Sequence, residues 1–205
     1  MTDNLKAHWE QVYQTKKPTE VSWYQATPHT SIAFLEKANL PKSAKIIDIG
    51  GGESNFVDYL LKEGYENITV LDISETAIQQ KQTNLGGQAS RVTWIVSNIT
   101  TFLPTEKYAF WHDRATFHFL TEQTDIARYV QMVSDCIIPA GKLIVGTFSE
   151  NAPTKCSGLP ITQYTAETLC ETFATTFQPI EYVQTIHSTP NDKEQNFIFG
   201  SFIKK

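Results

Sequence analysis

The chain has 205 residues, 40% of them apolar and 19% charged, with a net charge of −5. That size suits one large domain able to bury roughly 70% of its unfolded surface without covalent staples, and the composition excludes a disordered or fibrous chain. The acidic balance, with Lys16-Lys17 and Lys204-Lys205 as the densest basic clusters, argues against a nucleic-acid partner.

In chain order, Leu5, Trp9, Val12 and Tyr13 mark an amphipathic helix, with Trp9 and Val12 reading as ordinary core. A second helix runs from about residue 31 to 38. Between them, residues 16–29 form an irregular stretch holding Trp23, Tyr24, Pro28 and His29, which reads as a lid over a crevice. Lys45–Ile49 is a β-branched run that breaks into Gly50-Gly51-Gly52. Phe56, Val57, Leu60 and Leu61 then share a helical face that stops at Gly64. Ile68–Asp72 is a second strand, and Ser74 caps a helix running to about Leu85. Strands follow at 92–96 and 108–112, then a helix with Ile126, Tyr129, Val130, Val133 and Ile137 on one face, ended by Pro139-Ala-Gly141.

Lys142–Phe148 is a fifth strand, and Thr165 caps a helix through Phe173. The last two strands, about 178–187 and 195–203, are joined only by Ser188-Thr-Pro-Asn-Asp192. So short a connection excludes a helical crossover and makes the final strand antiparallel to its predecessor. The expectation is a doubly wound, Rossmann-like α/β domain over 1–205, with a mostly parallel seven-stranded sheet, residues 1–40 as a helical cap and 41–205 as the core.

No uncharged apolar run approaches about 18 residues, and the start Thr2-Asp3-Asn4-Leu5-Lys6 has no basic-then-apolar leader. A cytoplasmic protein without a membrane partner is therefore expected, as a monomer or weak homodimer. Cys136, Cys156 and Cys170 are an odd, sparse set. They suit a reducing compartment and lack metal-ligand spacing, so no metal is expected.

The glycine turn carries the chemistry. Asp48 precedes it, Glu53 follows it, and Asp72 with Ile73 ends the second strand 20 residues beyond Gly52. Such a turn lets a nucleoside cofactor lie against bare backbone while the later acid accepts from ribose hydroxyls. A dinucleotide pyrophosphate needs the free N–H groups and positive end of the following helix, but Glu53 stands at that entry and Asn55 takes the third glycine position. The acid-lined turn instead suits S-adenosylmethionine (SAM), which has no phosphate and carries a sulfonium and an ammonium; NAD is the alternative.

Asp48-Ile-Gly-Gly-Gly-Glu-Ser54, Asp72 and Ser97-Asn98-Ile99, in this order and spacing, resemble the class I (seven-strand) SAM-dependent methyltransferases over about residues 5–205. The resemblance implies SAM as cofactor and S-adenosylhomocysteine as product. It implies contacts from Asp48, Gly50, Gly51, Gly52, Asp72, Ile73, Asn98 and Ile99, with Asn98 accepting from the adenine amino group where the family has an acid. Trp111-His-Asp-Arg-Ala-Thr-Phe117 and Ser157-Gly-Leu-Pro-Ile161 are similar to segments of the thiopurine S-methyltransferase-like branch, which acts on small thiols and related nucleophiles. His8-Trp-Glu-Gln-Val-Tyr13 and Asp113-Arg-Ala-Thr-Phe117 also resemble the lysine methyltransferases of a translation elongation factor. His118 replaces an acid of that branch, which favours a small heteroatom acceptor over a protein lysine.

His112, Asp113 and His118 are the candidate catalytic residues, expected to line the mouth at the end of the fourth strand. Trp23 and His112 are placed on the cofactor, and Tyr24, Arg114, Cys156 and Leu159 on the acceptor. A catalytically silent SAM-binding module is the remaining class.

Overall fold

A computed structural model describes the backbone of residues 2–205 and the side chains from residue 4 onward. In chain order the elements are α1 (Thr2–Thr15), α2 (His29–Ala38), β1 (Lys45–Ile49), α3 (Phe56–Lys62), β2 (Asn67–Asp72), α4 (Glu75–Leu85), β3 (Val92–Val96), β4 (Tyr108–Arg114) and α5 (Gln123–Cys136). They continue with β5 (Ile137–Phe148), β6 (Lys155–Cys156), β7 (Leu159–Pro160), α6 (Ala166–Phe173), β8 (Phe177–Ser188) and β9 (Glu194–Lys204).

Seven strands form one sheet in the order β3-β2-β1-β4-β5-β9-β8. The five on the β3 side are parallel, and β9 runs antiparallel to both β5 and β8. The central strands are apolar on both faces because helices cover both. Trp111, Tyr129, Val133, Phe173 and Phe202 pack one side, and Phe34, Leu35, Phe56, Leu60 and Phe110 the other. Chain order reverses between β1 and β4, which opens a crevice at their carboxyl ends.

Local signals hold where they are strong. Ser74 accepts from the Ala77 N–H at the start of α4, and Thr165 caps α6 through Thr168. Ile137 is a correction, since it belongs to β5 and not to the preceding helix. Pro139, which has no N–H, sits where the β4–β5 register shifts, between the Tyr108–Ile137 and Phe110–Lys142 pairs, and Ala140 takes φ 60° there. The residues read as a helix stop thus form a bulge within the strand. The β6–β7 ladder, turned by Ser157 and Gly158 at φ 50° and 80°, had no expectation. Among the described residues no helix is long and apolar enough to cross a membrane.

Candidate active site

The three glycines are required by three different neighbours. Gly50 takes φ +65°, and a Cβ there would collide with the Thr116 hydroxyl. A Cβ on Gly51 would strike the Asp48 carboxylate, and one on Gly52 would meet Ala77 Cβ and Asp72 Oδ2 at 2.7 Å. The turn is pinned to the end of β2: Gly50 N–H donates to Leu71 O (2.7 Å), and Gly52 N–H donates to Asp72 Oδ2 (3.0 Å). Ser74 N–H donates to Asp72 Oδ1 (2.8 Å). Burial nevertheless pushes the Asp72 carboxyl up to about 6, against those two hydrogen bonds.

Asp48 and His112 are register partners on β1 and β4. Asp48 Oδ1 lies 2.6 Å from His112 Nδ1, and His112 Nε2 lies 2.8 Å from the Ser31 hydroxyl of α2. Both ring nitrogens of His112 are therefore committed. Asp48 Oδ2 is buried and has no partner.

Arg114, two residues further along the same face, donates Nη1–H to the Trp23 carbonyl (3.0 Å). Its Nη2 is buried without a partner. Burial lowers its pKa to about 10, with the Asp48 charge opposing the shift, so it stays cationic at neutral pH.

Two adjoining cavities meet at Tyr13, Trp23, Gly50 and Arg114. The larger encloses about 780 Å³ and is lined by Leu5, Trp9, Asp72, Ile73, Asn98, Ile99, Phe119 and Cys156 among others. The second, of about 570 Å³, holds Tyr24, Asp48, Gly51, Glu53, Asn55 and His112. Aromatic rings wall the larger one: Trp9 stands edge-on to Trp23 at 5.5 Å and to Phe119 at 5.2 Å. Burial raises the Glu53 carboxyl, partly offset by Lys81.

The methyltransferase-domain family matches residues 46–141, from the glycine turn's strand to the β5 bulge. The mouse EEF1A lysine methyltransferase 2 is 26% identical over 157 residues, covering 68% of this chain and 64% of that protein. The chain therefore spans less than two thirds of that relative's length. A structure concerned with conversion of a disulfide bond into a thioacetal group during echinomycin biosynthesis superposes with a TM-score of 0.78 at 18% identity, covering 100% of this chain and 93% of that one. The N-methyltransferase NodS of Bradyrhizobium japonicum WM9, in complex with S-adenosylhomocysteine, gives 0.70 at 15% identity over 95% and 97%. At those identities the structural likeness is one of fold.

The chain carries a methyltransferase domain over residues 46–141 on the fold of the class I SAM-dependent methyltransferases. SAM is the cofactor of this family, which sets the NAD reading aside. Within the methyltransferase, strand alternation separates the residues expected at the mouth. His112 and Arg114 share one face and line the crevice, whereas Asp113 turns into the opposite core. Asp113 Oδ1 accepts from the Thr116 and Phe117 N–H groups (3.1 and 3.0 Å), and Oδ2 from the Tyr129 hydroxyl (2.7 Å). His118 is fully buried beside Phe119 and Phe148, and its Nδ1 accepts from Phe148 N–H at 3.4 Å. Burial, reinforced by Arg114, lowers its pKa to about 3, so the ring is neutral. Neither residue lines the two cavities, which corrects their placement at the mouth.

Other departures are local. Asn98 lines the larger cavity, but its amide oxygen already accepts from the Thr100 N–H and hydroxyl at 3.0 and 2.9 Å. It is therefore not free for adenine. Leu159 lies in the β6–β7 ladder and lines neither cavity; His29 is exposed at the start of α2. Gly52 also lines neither cavity and acts through its N–H on Asp72. Cys156 does line the larger cavity, with its thiol pushed up to about 11 by burial and so protonated. Trp9, expected in the core, faces the cavity instead. The spacing of Leu5, Trp9 and Tyr13 looks the same for a core stripe and for a roof, so sequence could not have distinguished them. Among the described residues no group of three or more His, Cys, Asp and Glu side chains is placed to hold a metal.

Proposed function

We propose that the protein transfers the methyl group of SAM to a small, largely apolar heteroatom nucleophile. The observation that carries this is a pair of buried, unpartnered atoms of opposite charge, Asp48 Oδ2 and Arg114 Nη2, on residues lining the same crevice. The amino-acid end of SAM has an ammonium for the first and a carboxylate for the second. On this reading Arg114, expected on the acceptor, serves the cofactor. Asp72 accepts from the ribose hydroxyls, and Ile73 and Ile99 supply apolar walls for adenine.

SAM supplies an electrophilic methyl whose departure leaves a neutral thioether. The protein's part is to orient the reactants and exclude water, which Trp9, Tyr13 and Trp23 do as the aromatic roof. His112 has both nitrogens engaged, and Asp113 and His118 face away. Burial, with Asp72 and Glu53 adding to it, holds the Tyr13 hydroxyl protonated. The acceptor must then bring its own lone pair, as a thiolate or a nitrogen neutral near pH 7 does. Asp72 is the one carboxylate among the residues lining the larger cavity, and the second adds only Glu53 to the Asp48 assigned to the cofactor, which leaves few acids to receive an ammonium. The likeness to the mouse EEF1A enzyme supports a second reading, a protein lysine acceptor. The three free thiols fit a cytoplasmic setting for either.

The test is methyl-labelled SAM with purified protein in host lysate, counting label separately in precipitated protein and in small molecules. Enzyme-dependent label in small molecules is the expected result. Label confined to protein would favour the lysine reading, and S-adenosylhomocysteine binding without label in either fraction would favour a silent module.

A further inference from the structure

Two segments roof the crevice: α1, through Trp9 and Tyr13, and the strap of residues 16–28 leading to α2, through Trp23. Each is docked by polar contacts to the core. Glu10 of α1 accepts from Glu75 N–H (2.6 Å), Thr76 N–H (3.1 Å) and the Ser74 hydroxyl (3.1 Å). The first turn of a helix has unpaired N–H groups and a positive end, so this carboxylate caps α4 from another element. The strap is gripped at nearby carbonyls by side chains of three core elements. His187 of β8 holds Ser22 O at 2.7 Å, Arg114 of β4 holds Trp23 O at 3.0 Å, and Asn55, before α3, holds Gln25 O at 3.0 Å.

Both anchors begin on the cofactor site. Ser74 gives its hydroxyl to Glu10 and its N–H to Asp72 Oδ1, so one residue joins α1 to the ribose acid. Arg114 gives Nη1 to the strap and has Nη2 left for the crevice.

We propose that α1 and the strap form a lid latched by the cofactor, with Glu10 and Arg114 as the two latches. This rests on the SAM reading of the crevice. A ligand shifts an open–closed equilibrium only through contacts that one state has and the other lacks. Trp9, Tyr13 and Trp23 touch the crevice only while α1 and the strap are docked. An anion on Arg114 Nη2 also removes the cost of a buried, unpaired cation and fixes the guanidinium that holds the Trp23 carbonyl.

The experiment is amide hydrogen exchange of α1 and the strap in the full chain, with and without S-adenosylhomocysteine, beside calorimetric affinity. The expected result is exchange slowed about tenfold in both segments, within the usual range of coupling between sites. Glu10→Gln sets an amide N–H against the donors of α4; it speeds exchange of α1 in the free protein and weakens S-adenosylhomocysteine about tenfold. Should that variant not fold, Asn55→Ala, which frees the carbonyls of Gln25 and Ala26, gives the same readout in the strap alone. Normal binding with unchanged exchange, or wild-type affinity and exchange in the folded variant, overturns the latch and leaves the cofactor assignment standing. Failure of the wild type to bind overturns the cofactor assignment, and the latch with it.

Discussion

Asp48 and Asp113 are buried carboxylates at the ends of adjacent strands, and they differ in what they still lack. Asp113 spends both oxygens on three protein donors. Asp48 spends one on His112 and leaves the other, buried, with none. A satisfied buried acid holds its own fold together, whereas an unsatisfied one facing a crevice marks where a ligand's charge belongs. His118 and Arg114 differ in place and not in satisfaction: each has one buried nitrogen without a partner, but only Arg114 lines the crevice.

Exchanging the two acids breaks or sharpens that contrast. Asp113→Ala strands the Tyr129 hydroxyl and two backbone N–H groups, and should cost about 3 kcal/mol or more in denaturant unfolding. Comparable stability to wild type would remove Asp113 from the structural side. Asp48→Asn keeps an acceptor for His112 and should cost under about 1 kcal/mol, yet weaken SAM about 10- to 100-fold by calorimetry through loss of the charged partner. Equal affinity would place the ammonium elsewhere.

Acidity provides a third probe. S-adenosylhomocysteine affinity should decline as pH falls through about 6, where Asp72 protonates, and the decline should vanish in Asp72→Asn. Stability moves the other way for these acids. Asp72 and Asp113 titrate at about 6 in the fold and near 3.9 unfolded. Their contribution is full below about 4 and is lost as pH rises through 6. His118, lowered to about 3 from about 6.5 unfolded, opposes them, its contribution being present above 6.5 and lost as pH falls toward 3. The smallest effect is expected from His118→Gln, which should leave turnover across pH 6–9 within about twofold of wild type, since the ring lines neither cavity. A steep loss confined to low pH would restore it as a base.

Much of this was legible in the chain. Strand periodicity, the caps at Ser74 and Thr165, the glycine turn and the five-residue link at Ser188–Asp192 are local signals, and local signals specify elements and their order. The sequence by itself therefore determined the α/β architecture, the acid-lined turn and the choice of SAM over a dinucleotide. Only the tertiary structure decided which face of β4 meets the crevice, because alternation says that His112 and Asp113 point apart but not which one points outward. It also decided that Glu10 caps α4, 64 positions beyond at Ser74, and that Asn55 and His187 grip the strap. Such partners carry no pattern in a single chain, since their pairing exists only once the elements have packed.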